Sequence, residues 1–326
     1  MMSDDVARPW VRIVGLSLIV LLGVVAVLEM VTRLSGAADF PIYEVGSPTG
    51  YVVAPHQAGR FLDRNDWYFN NKSMPIQQDW AVVHPNVLLV GNSIIMGGDP
   101  FRQAEKLTSQ LEKRLGPRPV VWPVAIGGWS QPNEVAYLNA HPEIVASTDY
   151  LAWEYMAGGL SRPTPWVGPY VFPTHRPIYA TGYIFRRYVL PRLMNTHDPS
   201  GIPVTGALNV ANLQSFNAMA ARIVHSANCR PAGFIWLYPT ELEFNAARNG
   251  ADWLAERSQV TAIARANGLN VIDIAREPSW SVAFYRPDGI HPTAQGAAAL
   301  AVILAREISG DMAKRHMCEQ AIVARR

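Results

Sequence analysis

The sequence predicts an α/β protein, a three-layer α/β/α sandwich with a five-stranded parallel sheet, preceded by one N-terminal transmembrane helix. Three observations lead there. Beyond residue 86, short continuous apolar runs alternate with helix-period stretches, as a parallel sheet with crossover helices requires. Residues 13–28, IVGLSLIVLLGVVAVL, form an uncharged apolar run bounded by Arg12 and Glu29. The 326 residues are 49% hydrophobic and only 17% charged, which suits one large or two small domains and excludes a disordered chain. The balance of 28 Lys+Arg against 26 Asp+Glu leaves +2, so no nucleic-acid partner is expected.

The apolar run can extend to Thr32 or Leu34, about the 20 residues a membrane-spanning helix needs. Trp10 and Arg12 would anchor its cytoplasmic interface, and Arg8 and Arg12 ahead of it keep the N-terminus inside. Residues 1–35 are therefore a cytoplasmic stub and an inner-membrane anchor, and the rest is exported to the periplasm. Ser35 and Ala37 have the spacing of a signal-peptidase site, so cleavage before Ala38 is the alternative. Residues 36–85, broken by Pro41, Pro48, Pro55, Pro75 and Pro85, read as an irregular linker packed on the domain.

The catalytic domain then spans 86–326. Its strands are expected at Asn86–Val90, Val120–Ile126, Tyr150–Tyr155, Gly233–Leu237 and Asn270–Ile274, all buried on both faces. The helices are expected at Pro100–Leu115, Gln131–Ala140, Asn209–Ala227, Ala251–Ala266 and Thr293–Ile308. Residues 157–208, rich in Pro, Gly and aromatics, interrupt the alternation and read as a lid or cap.

Chemistry concentrates at two places. GNSIIMGG follows the first strand and puts Ser93 on a turn between strand and helix, where a hydroxyl faces outward and backbone N–H groups can hold an oxyanion. Near the C-terminus, YRPDGIHP places Asp288 three residues before His291, close enough for the carboxylate to orient the imidazole. The α/β-hydrolase elbow GxSxG does not occur. No cofactor or metal is expected: there is no Walker loop, GxGxxG or HExxH, and the other histidines lack ligand spacing. Cys229 and Cys318 allow one disulfide at most.

GNSIIMGG and DGIHP together resemble the first and last blocks of the SGNH (GDSL-like) hydrolase family, with Asn92 replacing the usual Asp. The resemblance implies a flavodoxin-like five-stranded parallel sheet. It also implies Ser93 as nucleophile, His291 as general base and Asp288 as its partner. The oxyanion hole would combine the Ser93 N–H with that of Gly127, or Gly128, in AIGGWS. The family's Gly-x-Asn-Asp block is replaced by AWEYMAGG, so the usual oxyanion Asn is absent. The Trp-Glu after the third strand is similar to proteins of exopolysaccharide (alginate-type) O-acetylation systems, and Glu154 or Tyr155 would then take a place in the site.

The expected function is a serine esterase or O-acyltransferase acting on acyl esters, acetyl above all, of a cell-envelope or exopolysaccharide carbohydrate. A membrane-bound acyltransferase or polysaccharide synthase complex would be a partner. The competing reading is a carbohydrate-binding or scaffolding subunit with a degenerate site, and a lipase is a third. From Ala157 to His197 the insert carries five Arg and no Asp or Glu. Arg186, Arg187 and Trp166 are candidates there to hold a glycan, with a membrane-apposed face as the other use of that surface.

Overall fold

The computed structural model describes residues 7–46, 48–98, 100–194, 206–225 and 232–323. Side chains are described from Trp10 to Lys314 of these residues. The Cys229–Cys318 pair lies outside this set, as does part of the insert, residues 195–205.

Helix α1 (Ala7–Leu34) carries the apolar run, and over Trp10–Leu34 it is long and apolar enough to cross a membrane. No polar face interrupts it, and Leu16, Ile19, Leu21 and Leu22 are all exposed, so among the described residues nothing covers this part of its apolar surface.

The stretch read as irregular is in fact built of two antiparallel hairpins, β1 (Tyr43–Val45) with β2 (Tyr51–Val53) and β3 (Gln57–Phe61) with β4 (Asn65–Phe69). Strands of three to five residues give too little alternation to stand out among the prolines. Their buried residues Tyr51, Val53, Trp67 and Phe69 join the core of the main domain.

The expected sheet forms from β5 (Asn86–Gly91), β6 (Val120–Ala125), β7 (Tyr150–Tyr155), β8 (Gly233–Leu237) and β9 (Asn270–Asp273), all parallel, in the order β6-β5-β7-β8-β9. The first four of these strands, the edge strand β6 included, are buried almost throughout, which is why they read as unbroken apolar runs. β9 differs from expectation: it is an edge strand with Asn270 exposed, so only part of it is covered.

Helices close both faces. Tyr150 of β7 donates its hydroxyl to Asp311 of α11 (Ala294–Val323) at 2.6 Å. Three residues on, Trp153 points the other way. It packs tilted against the Phe216 ring of α8 (Val210–His225) and donates to Glu134 of α4 (Gln131–Ala140) at 2.6 Å. The helix expected from Pro100 begins later, as α3 (Leu107–Leu115), after one 3-10 turn, because Gln103 is drawn in to donate to the Pro75 carbonyl. Two short helices, α2 (Ser93–Met96) and α5 (Pro142–Ala146), follow β5 and α4.

Past β7 the insert runs without regular structure to residue 179, then forms α6 (Ala180–Ile184), a π-helical turn (Phe185–Val189) and α7 (Leu190–Leu193). An unexpected α9 (Glu241–Arg248) follows β8, started by a capping box in which Thr240 and Glu243 bond reciprocally. The helix expected over Ala251–Ala266 is shortened to α10 (Arg257–Ala266), since Trp253 and Leu254 are buried in the preceding loop.

Candidate active site

In this sheet the chain leaves β5 to one side for β6 and returns to the other for β7. The crevice at the carboxyl ends of β5 and β7 is therefore the place where ligands collect. Ser93 sits there, in the first turn after β5. Its turn is set by Asn92, whose Oδ1 accepts the Ile94 N–H at 3.0 Å, and is closed by Gly97 at φ 79°.

The approach of His291 comes from far along the chain. The loop from β9 crosses the end of β8, where Tyr238 donates its hydroxyl to the Ile290 carbonyl at 2.9 Å and the Glu241 N–H bonds the Gly289 carbonyl at 2.7 Å. The Arg286 N–H bonds the His291 carbonyl at 2.8 Å, making the loop a closed turn. These contacts bring His291 Nε2 to 2.8 Å from Ser93 Oγ and Nδ1 to 3.2 Å from Asp288 Oδ2. With the Nδ1 proton on the carboxylate side, Nε2 is free to accept the serine proton.

Asp288 is fitted for that post. Partial burial works against its charge, but hydrogen bonds from the His291 ring, the His291 N–H (2.8 Å) and the Ile290 N–H (2.9 Å) outweigh it. Its carboxyl is held well below the ordinary range and stays ionised beside the imidazole.

Ser93, Asp288 and His291 line a cavity of 820 Å³, together with Gly127, Gly128 and Arg187. Such a volume suits a small ligand or one or two sugar residues rather than water alone. The oxyanion donors differ from expectation in one respect. The Ser93 and Gly128 N–H groups make no hydrogen bond among the described residues, whereas the Gly127 N–H donates to Met96 Sδ at 3.0 Å. A thioether is a weak acceptor that an oxyanion would displace.

Four of the expected binding residues lie outside the cavity. Glu154 and Tyr155 are fully buried, because β7 is an inner strand covered on both faces. Trp166 is drawn into the insert, its Nε1–H donating to the Phe172 carbonyl at 2.9 Å. Arg186 stacks on Tyr170, 4.1 Å from the ring centroid, and donates to its hydroxyl. Only Arg187 of that set reaches the cavity.

Sequence reasoning missed Met96, Met156 and Gln131, which also line the cavity. Gln131 donates its Nε2–H to the Glu154 carbonyl at 3.1 Å and its N–H to the Gly159 carbonyl, tying the β6 and β7 loops together. Nothing in the sequence marks it except its place after Ser130 at the head of α4.

Glu154 nevertheless matters to the nucleophile. Its Oε2 accepts the Asn92 N–H at 3.3 Å, from directly beneath the turn that carries Ser93. A Cβ on Gly91 would lie 2.2 Å from that oxygen, so glycine is what allows the carboxyl to sit there. Gly91→Ala is expected to lower stability by about 1–3 kcal/mol, read from the urea midpoint of the solubilised protein. Gly127→Ala, whose Cβ would find only Met96 Sδ at 3.6 Å, should leave that midpoint nearly unchanged.

No protein-family model matches the chain, and a comparison with curated proteins finds no match. Among solved structures, it is similar to a lipase/acylhydrolase from Enterococcus faecalis, 15% identical over 69% of this chain and 95% of that one, TM-score 0.44. It is also similar to a carbohydrate acetylesterase from Sinorhizobium meliloti (13% identity, 69% and 98% covered, TM-score 0.39). A GDSL-like lipase from Bacteroides thetaiotaomicron is similar too, 15% identical over 69% of this chain and 88% of that one, TM-score 0.37.

Proposed function

We propose that this chain is a membrane-anchored, exported serine ester hydrolase or acyl-transferring enzyme of SGNH type, acting on acyl esters of a cell-envelope carbohydrate. The observation that carries the reading is the continuous relay Asp288–His291–Ser93, with contacts of 3.2 and 2.8 Å, opening into a cavity. Ser93 Oγ attacks the ester carbonyl carbon while its proton passes to His291 Nε2. The carbonyl oxygen becomes an oxyanion facing the Ser93 N–H and the N–H groups of Gly127 and Gly128. Collapse expels the alcohol, which takes the proton from His291, and leaves an acyl group on Ser93. Water or a sugar hydroxyl then accepts the acyl group by the reverse path.

Incubation of the purified full chain with a serine-reactive phosphonate and with a small acetyl ester tests this reading. Expected are covalent labelling of Ser93 alone and ester turnover that the label removes. Turnover that survives complete labelling overturns the assignment. Absence of both labelling and turnover favours the scaffold reading, to which the Gly127 N–H held by Met96 lends support.

The two insert arginines separate substrate binding from catalysis. Arg187→Ala is expected to raise KM for an acetylated anionic polymer by about tenfold, more weakly at high salt, with small-ester turnover intact. Arg186→Ala should change neither quantity, since its side chain lies over Tyr170 on the outside of the insert and does not line the cavity.

A further inference from the structure

The insert and the end of α1 are joined in a way that an unrelated linker and lid would not require. The Glu29 carboxylate accepts the N–H groups of Ala180 and Thr181 at 2.8 and 2.9 Å, so the apolar helix itself caps the start of α6. Arg33 donates to the Pro177 and Ile178 carbonyls, and the Thr32 and Thr181 hydroxyls meet at 3.0 Å. Just beyond the helix, Asp39 pairs with Arg176 at 2.9 Å. From the other side, the Leu62 N–H of the β3–β4 turn bonds the Gly36 carbonyl at 3.1 Å. Gly36 has φ +68°, and a Cβ there would meet the backbone of that turn at 2.7 Å.

Whatever level the end of α1 occupies, residues 177–181 are therefore held at the same level. From there the helical segment carries a row of large apolar side chains into solvent: Ile178 is 94% exposed, Leu193 72% and Met194 64%, with Phe185 and Val189 between them. Arg186 and Arg192 are exposed alongside, and the segment has no acidic residue. A soluble lid gains nothing from uncovered Ile, Leu and Met. An apolar row flanked by arginines, fixed beside the end of a membrane-length helix, matches the boundary between headgroups and acyl chains.

We infer that Ile178–Met194 is a membrane-resting foot, seated in the interface of the leaflet that faces the domain, with Arg186 and Arg192 among its headgroup phosphates. This rests on reading α1 as a membrane span. Arg187, in the same segment, turns inward instead, donating to the Tyr183 hydroxyl at 2.7 Å and lining the cavity. The foot thus sets the candidate active site at a fixed height and tilt over the bilayer, within reach of esters held at the membrane surface.

The test uses the full chain in phosphatidylcholine–phosphatidylglycerol bilayer discs, with Cys229→Ser and Cys318→Ser. A polarity-sensitive fluorophore is attached at Ile178→Cys, Leu193→Cys or, in mid-span, Val20→Cys. Ile178 and Leu193 face outward, so neither substitution disturbs packing. Both are expected to lose roughly half of their emission to lipids spin-labelled near the glycerol, at a depth of roughly 5–10 Å, and to resist aqueous iodide. Labels at both positions that iodide quenches and lipids do not, while Val20→Cys is quenched by mid-bilayer spin labels, overturn the foot and leave the span standing. If Val20→Cys is also reached by iodide, the span reading fails and the foot falls with it.

Discussion

Ser93→Ala is expected to lower kcat for acetyl-ester cleavage by about 10⁶, and His291→Ala by a similar factor, with the double variant no worse than either. The equality follows from the geometry. Ser93 Oγ and His291 Nε2 share one proton across 2.8 Å, so removing either end removes the same step. Asp288→Asn acts differently. Its amide keeps the shape of the turn only in part, because Asp288 Oδ1 accepts two backbone N–H groups and Oδ2 the imidazole. An amide can present its NH₂ to the ring and favour the wrong tautomer, a loss of about 10⁴ in kcat. Initial rates on a chromogenic acetyl ester, at equal folded protein, give all four values. A Ser93→Ala variant that retains a tenth of the activity removes Ser93 from the mechanism, and an additive double variant would show that the two residues act in separate steps.

The parts of this site that could be read from sequence are those with local signatures. Ser93 lies directly after an unbroken apolar strand, and Asp288 and His291 sit together in one turn, so each half is visible within eight residues. The pairing of the halves, 198 positions apart, depends on the strand order, which no local pattern carries; in the sequence only the resemblance to the SGNH family implies it. The residues that surround them have no such signature. Gln131 and Met156 reach the cavity because the loops after β6 and β7 meet there, a consequence of the β6-β5-β7 order rather than of any motif.

Glu154 is expected at the site only from the likeness of its Trp-Glu to exopolysaccharide O-acetylation proteins, yet an inner strand keeps its last residues inside the pleat, and the carboxyl ends beneath Ser93 instead of before it. The hairpins over Tyr43–Phe69 escaped notice for the opposite reason. Short strands that bury alternate residues against a larger domain take their stability from that domain, and so need little pattern of their own. The capping box Thr240–Glu243 was legible and would have announced α9.

The buried acids under the nucleophile lead to the second large effect, on stability. Glu134 is fully buried, with one oxygen accepting from Trp153 and the other without a hydrogen-bond partner among the described residues, and burial pushes its pKa from 4.5 up to about 8. Glu154 is pushed well up by its own burial and then by the nearness of Glu134. Glu134 is therefore neutral in the folded protein at pH 6. In the unfolded chain each ionises near 4.5.

A folded pKa above the unfolded one means stability that is complete below about 4.5 and is lost as pH rises toward about 8, because unfolding releases protons in that window. For Glu134 alone the loss is on the order of 3–5 kcal/mol. Asp288 and Glu143, whose carboxyls are held low, act in the other direction but below pH 4.5, outside this window. Glu134→Gln removes the titration while its carbonyl can still accept from Trp153. The variant is therefore expected to lose less stability than the parent between pH 5 and 8, the remaining slope belonging to Glu154 and to Glu112, which burial raises to about 7, and to overtake the parent progressively across that range. Parallel curves for the two proteins would mean that Glu134 is ionised in the folded state, balanced by a cation the buried site does not contain among its described neighbours.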